Sequence, residues 1–191
     1  MVIQFYDETD HVQTELRLRE QALHDPLTGL YNRAFFEEAI QKEIERAKRY
    51  KRPLSLMMAD LSGFKLVNDR LGHQEGDRVL AGVAGVVRDV LRESDWVVRY
   101  GGDEFILVLP ETGTGVEELE RRLKSAVSAW SQRNFPSLSL GIDLGWASWT
   151  PEEPLEVDDL VRNADRMLYQ QKALRNRPRR EQVLSRTGQA S

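Results

Sequence analysis

The 191-residue sequence has no cysteine, which excludes disulfides and thiolate-held metals and fits a reducing compartment, the cytoplasm. It has no apolar run near the roughly 20 residues needed to cross a bilayer, and no signal-peptide pattern at its start. It lacks an excess of basic residues: 27 lysines and arginines against 31 acids give a formal charge of −4. That balance argues against a general nucleic-acid binder. Any polyphosphate ligand would need local positive charge or metal ions. Internal repeats and low-complexity segments are absent too. What remains has the length of one domain with extensions, enough to bury roughly 70% of its unfolded surface without staples.

The most informative stretch is Arg99-Tyr100-Gly101-Gly102-Asp103-Glu104-Phe105. Trp96-Val97-Val98 precedes it and Ile106-Leu107-Val108-Leu109 follows, so it reads as the turn of a β-hairpin. Glycine tolerates positive φ, and Gly101 and Gly102 are expected to use that freedom in a tight turn. They also leave backbone bare to a ligand. Asp103 and Glu104 beside it can hold a divalent metal or accept a proton. Taken alone, the same residues also suit a solvated turn with incidental acids.

Residues 1–8 read as the end of a strand, and 9–24 as a polar helix with an incomplete apolar stripe at Val12, Leu16 and Leu23. Asp25-Pro26-Leu27-Thr28-Gly29-Leu30-Tyr31-Asn32-Arg33 breaks that helix. A helix over 33–50 follows, with Phe35, Phe36, Ala39, Ile40 and Ile44 inward. A near-continuous apolar run over 54–61 predicts a central strand. Asp60 at its end is a carboxylate that must be solvated, paired or metal-bound. A short helix over 64–69, a turn at 71–73 and a helix from about 75 to 92 lead to the hairpin. After it come a loop at 112–114, a helix over 116–130, one strand or two bent strands within 137–149, and a helix over 157–173. Residues 175–191, basic and then polar, read as a disordered tail. The order βααββαβ with a closing helix predicts an α/β (α+β) sandwich, ferredoxin-like or polymerase-palm-like. Its central antiparallel sheet would be flanked by helices, behind an N-terminal helical extension.

The GGDEF string after Arg-Tyr, the D-x-L-T-G-L-x-N-R pattern at 25–33 and Asp60 at a strand end occur in an order that resembles the GGDEF family of diguanylate cyclases. The likeness runs from about residue 25 to about 172. It implies condensation of two GTP molecules into cyclic di-GMP with release of two pyrophosphates. It also implies a homodimer, since one subunit holds one GTP. Two Mg2+ ions per site, with Mn2+ as a substitute, would lie on Asp60, the Leu61 carbonyl and Asp103. Glu104 takes the position of the catalytic acid, which either supports the metal or activates the ribose 3′-hydroxyl. Asn68 and Asp77 take the positions that read guanine, whose N1–H and N2–H donors beside O6 call for a carboxylate and an amide. Gly63, Phe64, Lys65, Gly102 and Lys172 take those that hold the nucleotide. Arg92 and Asp95 match the family's product-inhibition site, R-x-x-D placed five residues before GGDEF, with Arg121 or Arg122 added from the other subunit. Taken singly, these residues have plainer readings: a surface ion pair for Arg92 and Asp95, a helix-start carboxylate for Asp77, solvated charges for the lysines.

The opening strand and helix resemble the junction between a PAS sensor and an output domain; a frayed extension is the alternative. The first reading divides the chain into a linker remnant with a signalling helix (1–24), a catalytic domain (25–174) and a tail (175–191), and implies an upstream sensor. Two departures from the family stand out. Ser62 replaces the second acid of Asp-x-Asp, and Asn176 stands where the pattern A-K-x-x-G-R-N has its arginine. Either Arg175 or Arg177 substitutes from a neighbouring position, or triphosphate affinity suffers. Two other functions stay open. One is a silent module that binds cyclic di-GMP at Arg92 and Asp95. The other is a palm-type cyclase or polymerase using other nucleotides, which the lack of a thumb or template-binding basic region disfavours.

Overall fold

The computed structural model describes residues 22–152, 154 and 156–176. The strand expected over 1–8, most of the helix over 9–24 and the tail beyond 176 lie outside the described residues. β1 (Tyr31–Asn32) leads into α1 (Arg33–Tyr50), and β2 (Leu54–Ser62) into α2 (Phe64–Leu71) and α3 (His73–Val90). The hairpin strands β3 (Trp96–Arg99) and β4 (Glu104–Pro110) come next, then α4 (Val116–Asn134), β5 (Gly141–Trp149) and α5 (Val157–Asn176). One five-stranded sheet runs in the order β1-β3-β4-β2-β5. Every pairing is antiparallel except β1 with β3, so the expected antiparallel sheet is in fact mixed at one edge. Among the described residues no helix is long and apolar enough to cross a membrane.

β2 reads as a continuous apolar run because both of its faces are covered. Met57, Ala59 and Leu61 point to a core built with Val79, Leu80 and Val83 of α3 and Leu119, Leu123 and Val127 of α4. Leu54, Leu56 and Met58 point the other way, to Phe36, Ile40 and Ile44 of α1 and Leu160, Ala164 and Leu168 of α5. The side-chain period of two therefore assigns Asp60 to the second face, at its open end. β5 pairs with β2 from Leu54↔Trp149 to Ser62↔Gly141 without interruption. It is one strand, preceded by residues 137–140 outside the ladder. α5 runs to Asn176, which takes Arg175 and Asn176 out of the expected tail. At the β2–α2 turn Gly63 has φ +86°, and a Cβ there would collide with the Ser139 carbonyl. Only glycine combines that backbone with that clearance.

Candidate active site

Three neighbouring strands bring acids to one end of the sheet. Asp60 on β2 stands opposite Glu104 on β4 and opposite Asp143 on β5. Directly paired residues project from the same face, so the three carboxylates extend the row begun by Leu54, Leu56 and Met58. Asp103 precedes them in the hairpin turn. Its carbonyl accepts a hydrogen bond from the Leu61 amide at 3.3 Å, which stitches the turn to the end of β2.

Two cations descend on this acidic end from α5. Gly145 on β5 has no side chain, and the α5 backbone uses the space: a Cβ there would collide with Leu168 N and Ala164 O. Positions 164, 168 and 172 succeed one another on a single helix face, so the apolar row of α5 ends in a lysine. Lys172 Nζ lies 2.7 Å from Asp60 Oδ2. One residue short of the helix end, Arg175 Nη1 donates to Asp143 Oδ2. Asp143 is 8% exposed, deep enough that it needs such a partner. Burial and the neighbouring Asp60 charge push the Asp103 carboxyl above the ordinary aspartate range, against the pull of Lys172 and Arg99.

The turn itself differs from expectation. Neither Gly101 nor Gly102 has positive φ. The loop spans four residues between Arg99 and Glu104 and closes with Tyr100 N and Gly101 N on the Glu104 carbonyl, at 2.9 and 3.3 Å. That length reverses the chain without a left-handed residue. What Gly101 supplies is room: a Cβ would lie 2.7 Å from Glu104 Oε2. Gly102 faces open space and offers its carbonyl to Arg99, whose Nε and Nη2 donate at 3.2 and 2.9 Å.

The same arginine grips the loop before β1. Arg99 Nη1 donates to both oxygens of Asp25 at 3.1 Å, and Asp25 Oδ1 also accepts from Thr28 N at 2.9 Å and Thr28 Oγ1 at 2.6 Å. The D-x-L-T-G stretch thus does more than set the entry of a helix; it anchors the hairpin turn. Burial opposes ionisation of Asp25, but the Thr28 bonds and the Arg99 charge outweigh it and hold the carboxyl below its ordinary range. A depressed folded pKa gives stability that is complete above the unfolded value and lost as pH falls through the folded one. Acid titration of unfolding is therefore expected to show a loss beginning near the ordinary aspartate value of 3.8. Asp25→Asn should flatten that part of the profile, and an unchanged profile would contradict the pairing.

The nucleotide-binding candidates cluster after β2. Gly63 opens α2, and its carbonyl receives the first helical bonds, from Leu66 N and Val67 N at 3.1 and 3.3 Å. The Phe64 and Lys65 amides lie ahead of those bonds, while the Phe64 ring packs on the core and the Lys65 side chain is exposed. A Cβ on Gly76 would collide with Asn68 Oδ1. The Asn68 amide therefore lies on Gly76, one residue from the exposed Asp77. Arg92 and Asp95 form a separate group in a cavity of about 180 Å³ that Arg122 also lines. Arg92 N donates to Asp95 Oδ2 at 3.1 Å, whereas the buried Asp95 Oδ1 has no hydrogen-bond partner among the described residues. Burial pushes the Asp95 carboxyl up, opposed by the Arg92 amide and charge and by a hydrogen bond from the Ser94 side chain. Arg122 reaches this cavity within the same subunit, donating to the Val90 carbonyl at 3.0 Å.

Asp143 escaped the sequence reading. Its signal was available, since it is the one acid inside the strand Gly141–Trp149. Asp60, Asp103 and the Leu61 carbonyl are hard oxygen donors, and the mutual repulsion recorded in Asp103 is what a cation relieves. Among the described residues no three acidic or histidine side chains form a ready metal cluster. A bound Mg2+ would thus complete its shell with phosphate oxygens and water, as that ion commonly does. The residues fit it.

Residues 22–178 match the family model described as "Diguanylate cyclase, GGDEF domain". The chain belongs to the GGDEF-domain diguanylate cyclase family. Diguanylate cyclase DgcP of Pseudomonas aeruginosa is 39% identical over 156 residues, which cover 81% of this chain and 23% of DgcP. Cyclic di-GMP phosphodiesterase NbdA of the same organism is 33% identical over 172 residues, 87% of this chain and 21% of NbdA. The chain thus spans under a quarter of the length of these two relatives. Among solved structures, the coiled coil and GGDEF domain of DgcB from Caulobacter crescentus, in complex with c-di-GMP, superposes with a TM-score of 0.77 at 27% identity. The match covers 87% of this chain and 89% of that one.

Proposed function

We propose that this chain is a diguanylate cyclase, which joins two GTP molecules into cyclic di-GMP as a homodimer in the cytoplasm, under an upstream sensor. The observation that carries the reading is the meeting of Asp60, Asp103 and Glu104 at the open end of three paired strands. The Leu61 carbonyl and the two aspartates would hold two Mg2+ ions. Bound there, such ions neutralise charge on the transferring α-phosphate and acidify the attacking 3′-hydroxyl. Glu104, exposed at the start of β4, would take the hydroxyl proton. Asn68 and Asp77 read the guanine edge, and the Phe64 and Lys65 amides with Lys172 take the phosphates. An ammonium and a divalent cation compete for one carboxylate, so Lys172, paired with Asp60 here, would be released to phosphate if Asp60 held a metal. Each subunit supplies one half-site, so the two hairpin turns must face each other across the nucleotides.

Equilibrium binding of GTP with and without Mg2+ tests the site. Affinity that rises with Mg2+ and falls in Asp60→Ala is expected; metal-independent binding would contradict the ligand assignment.

A second reading has its own observation. Asp95 Oδ1, buried beside Arg92 and without a hydrogen-bond partner among the described residues, is an acceptor suited to guanine N–H donors, while Arg92 can donate to O6 and N7. This supports product binding at that cavity, either as feedback on an active cyclase or as the whole function of a silent receptor. Arg92→Ala is expected to weaken inhibition of turnover by cyclic di-GMP at least about ten-fold, the loss of one bidentate base contact. Uninhibited turnover should be unchanged; equal inhibition of variant and wild type would reject the site.

A further inference from the structure

The geometry points to Asp143 as a positioning residue that fixes Arg175 as a phosphate-binding group of the nucleotide site. The inference rests on the GTP reading above; it adds Asp143 to it and selects Arg175 as the substituting arginine. Asp143 is the β5 counterpart of Asp60 in the ladder, nearly buried, and bonded to Arg175. Arg175 in turn lines a cavity of about 480 Å³ together with Ser62, Gly63, Ser139 and Gly141. Ser128 and Gln132 of α4 and the loop before β5 complete its wall, and Gly63 on that wall precedes the Phe64 and Lys65 amides assigned to phosphate.

A guanidinium carries five N–H donors in a rigid fork. Asp143 takes Nη1, and no other partner of Arg175 is found among the described residues. The remaining donors stay available to phosphate oxygens, which a planar fork meets in pairs. Arg175 is 42% exposed at its side chain, so without an anchor this long side chain would sample many rotamers over solvent. Asp143 removes most of that freedom in advance, which is where preorganisation gains affinity. The pairing also accounts for Asn176: cationic charge is supplied one residue earlier, held by an acid from the sheet. Lys172 on Asp60 and Arg175 on Asp143 form two parallel rungs between α5 and the strand ends.

The test is calorimetric titration of the full chain with GMP and with the uncleavable guanosine 5′-[α,β-methylene]triphosphate, both with Mg2+. Wild type is expected to bind the triphosphate more tightly than GMP. Arg175→Ala and Asp143→Ala should each weaken triphosphate binding roughly ten-fold, the value of one charge-assisted hydrogen bond, and leave GMP binding unchanged. The double variant should be no worse than Arg175→Ala, because the two side chains act as one unit. Arg175→Lys should recover part of the loss. If Asp143→Ala does not fold, Arg175→Ala and Arg175→Lys, at an exposed helix end, carry the test. Unchanged triphosphate affinity in the variants, or an equal loss for GMP, would overturn the inference while the GTP reading stands. Failure of wild type to bind either nucleotide would overturn that reading, and this inference with it.

Discussion

Glu104→Ala and Asp103→Ala are each expected to lower turnover of GTP on the order of 10³-fold, the first by loss of a positioned acid–base group, the second by loss of a metal ligand beside the transferring phosphate. Neither change should unfold the domain. Glu104 is exposed and Asp103 lies in the turn between β3 and β4, so neither substitution removes a packed side chain. Asp103→Asn should be at least as stable as wild type, because it removes a charge that Asp60 opposes. Thermal unfolding and turnover measured on the same preparations check both halves. Turnover at the wild-type rate would reject the site, and an unfolded variant would make these residues structural.

Gly145→Ala is expected to be the most destabilising single methyl addition at a glycine on the sheet. The added carbon would meet backbone atoms of Leu168 and Ala164, which cannot rotate aside as a side chain can. Overpacking of this kind costs about 3 kcal/mol, which lowers Tm by roughly 6–12 °C for a domain of this size. The helix must lift from β5, and Lys172 and Arg175 lift with it, so GTP affinity should fall even below the melting range. Gly102→Ala is the control: φ is not positive there and nothing lies within 4 Å of a Cβ, so stability should hardly change. Melting temperatures of the two variants within 2 °C of each other would contradict the packing of α5.

Most of the fold is legible in local pattern. The apolar stripes of α1, α3, α4 and α5 and the run 54–61 each record burial on a known period, and the turn residues Pro53 and Gly72 fall between them. β1 is not legible, since two residues carry no period; it exists because β3 offers an unpaired edge. The candidate site acids Asp60 and Glu104 are legible because they sit at the ends of readable strands. Their supports are not. Arg99 and Asp25 are 74 residues apart, and nothing in either segment announces the other. The fit of Glu104 over Gly101 is a matter of clearance rather than φ, which sequence does not distinguish. Asp143 is a different case, a lone acid in an apolar strand whose register against Asp60 only the folded ladder reveals.

The proposed reaction is the joining of two GTP molecules at the turn formed by residues 100–103. Incubation of the purified chain with GTP and Mg2+ at several protein concentrations, with the product identified by mass, tests it most directly. Cyclic di-GMP and pyrophosphate are expected, formed at a rate that rises faster than linearly with protein and falls about 10³-fold in Glu104→Ala. Absence of product at every concentration, with cyclic di-GMP still bound in the cavity of Arg92 and Asp95, would contradict it and leave a receptor.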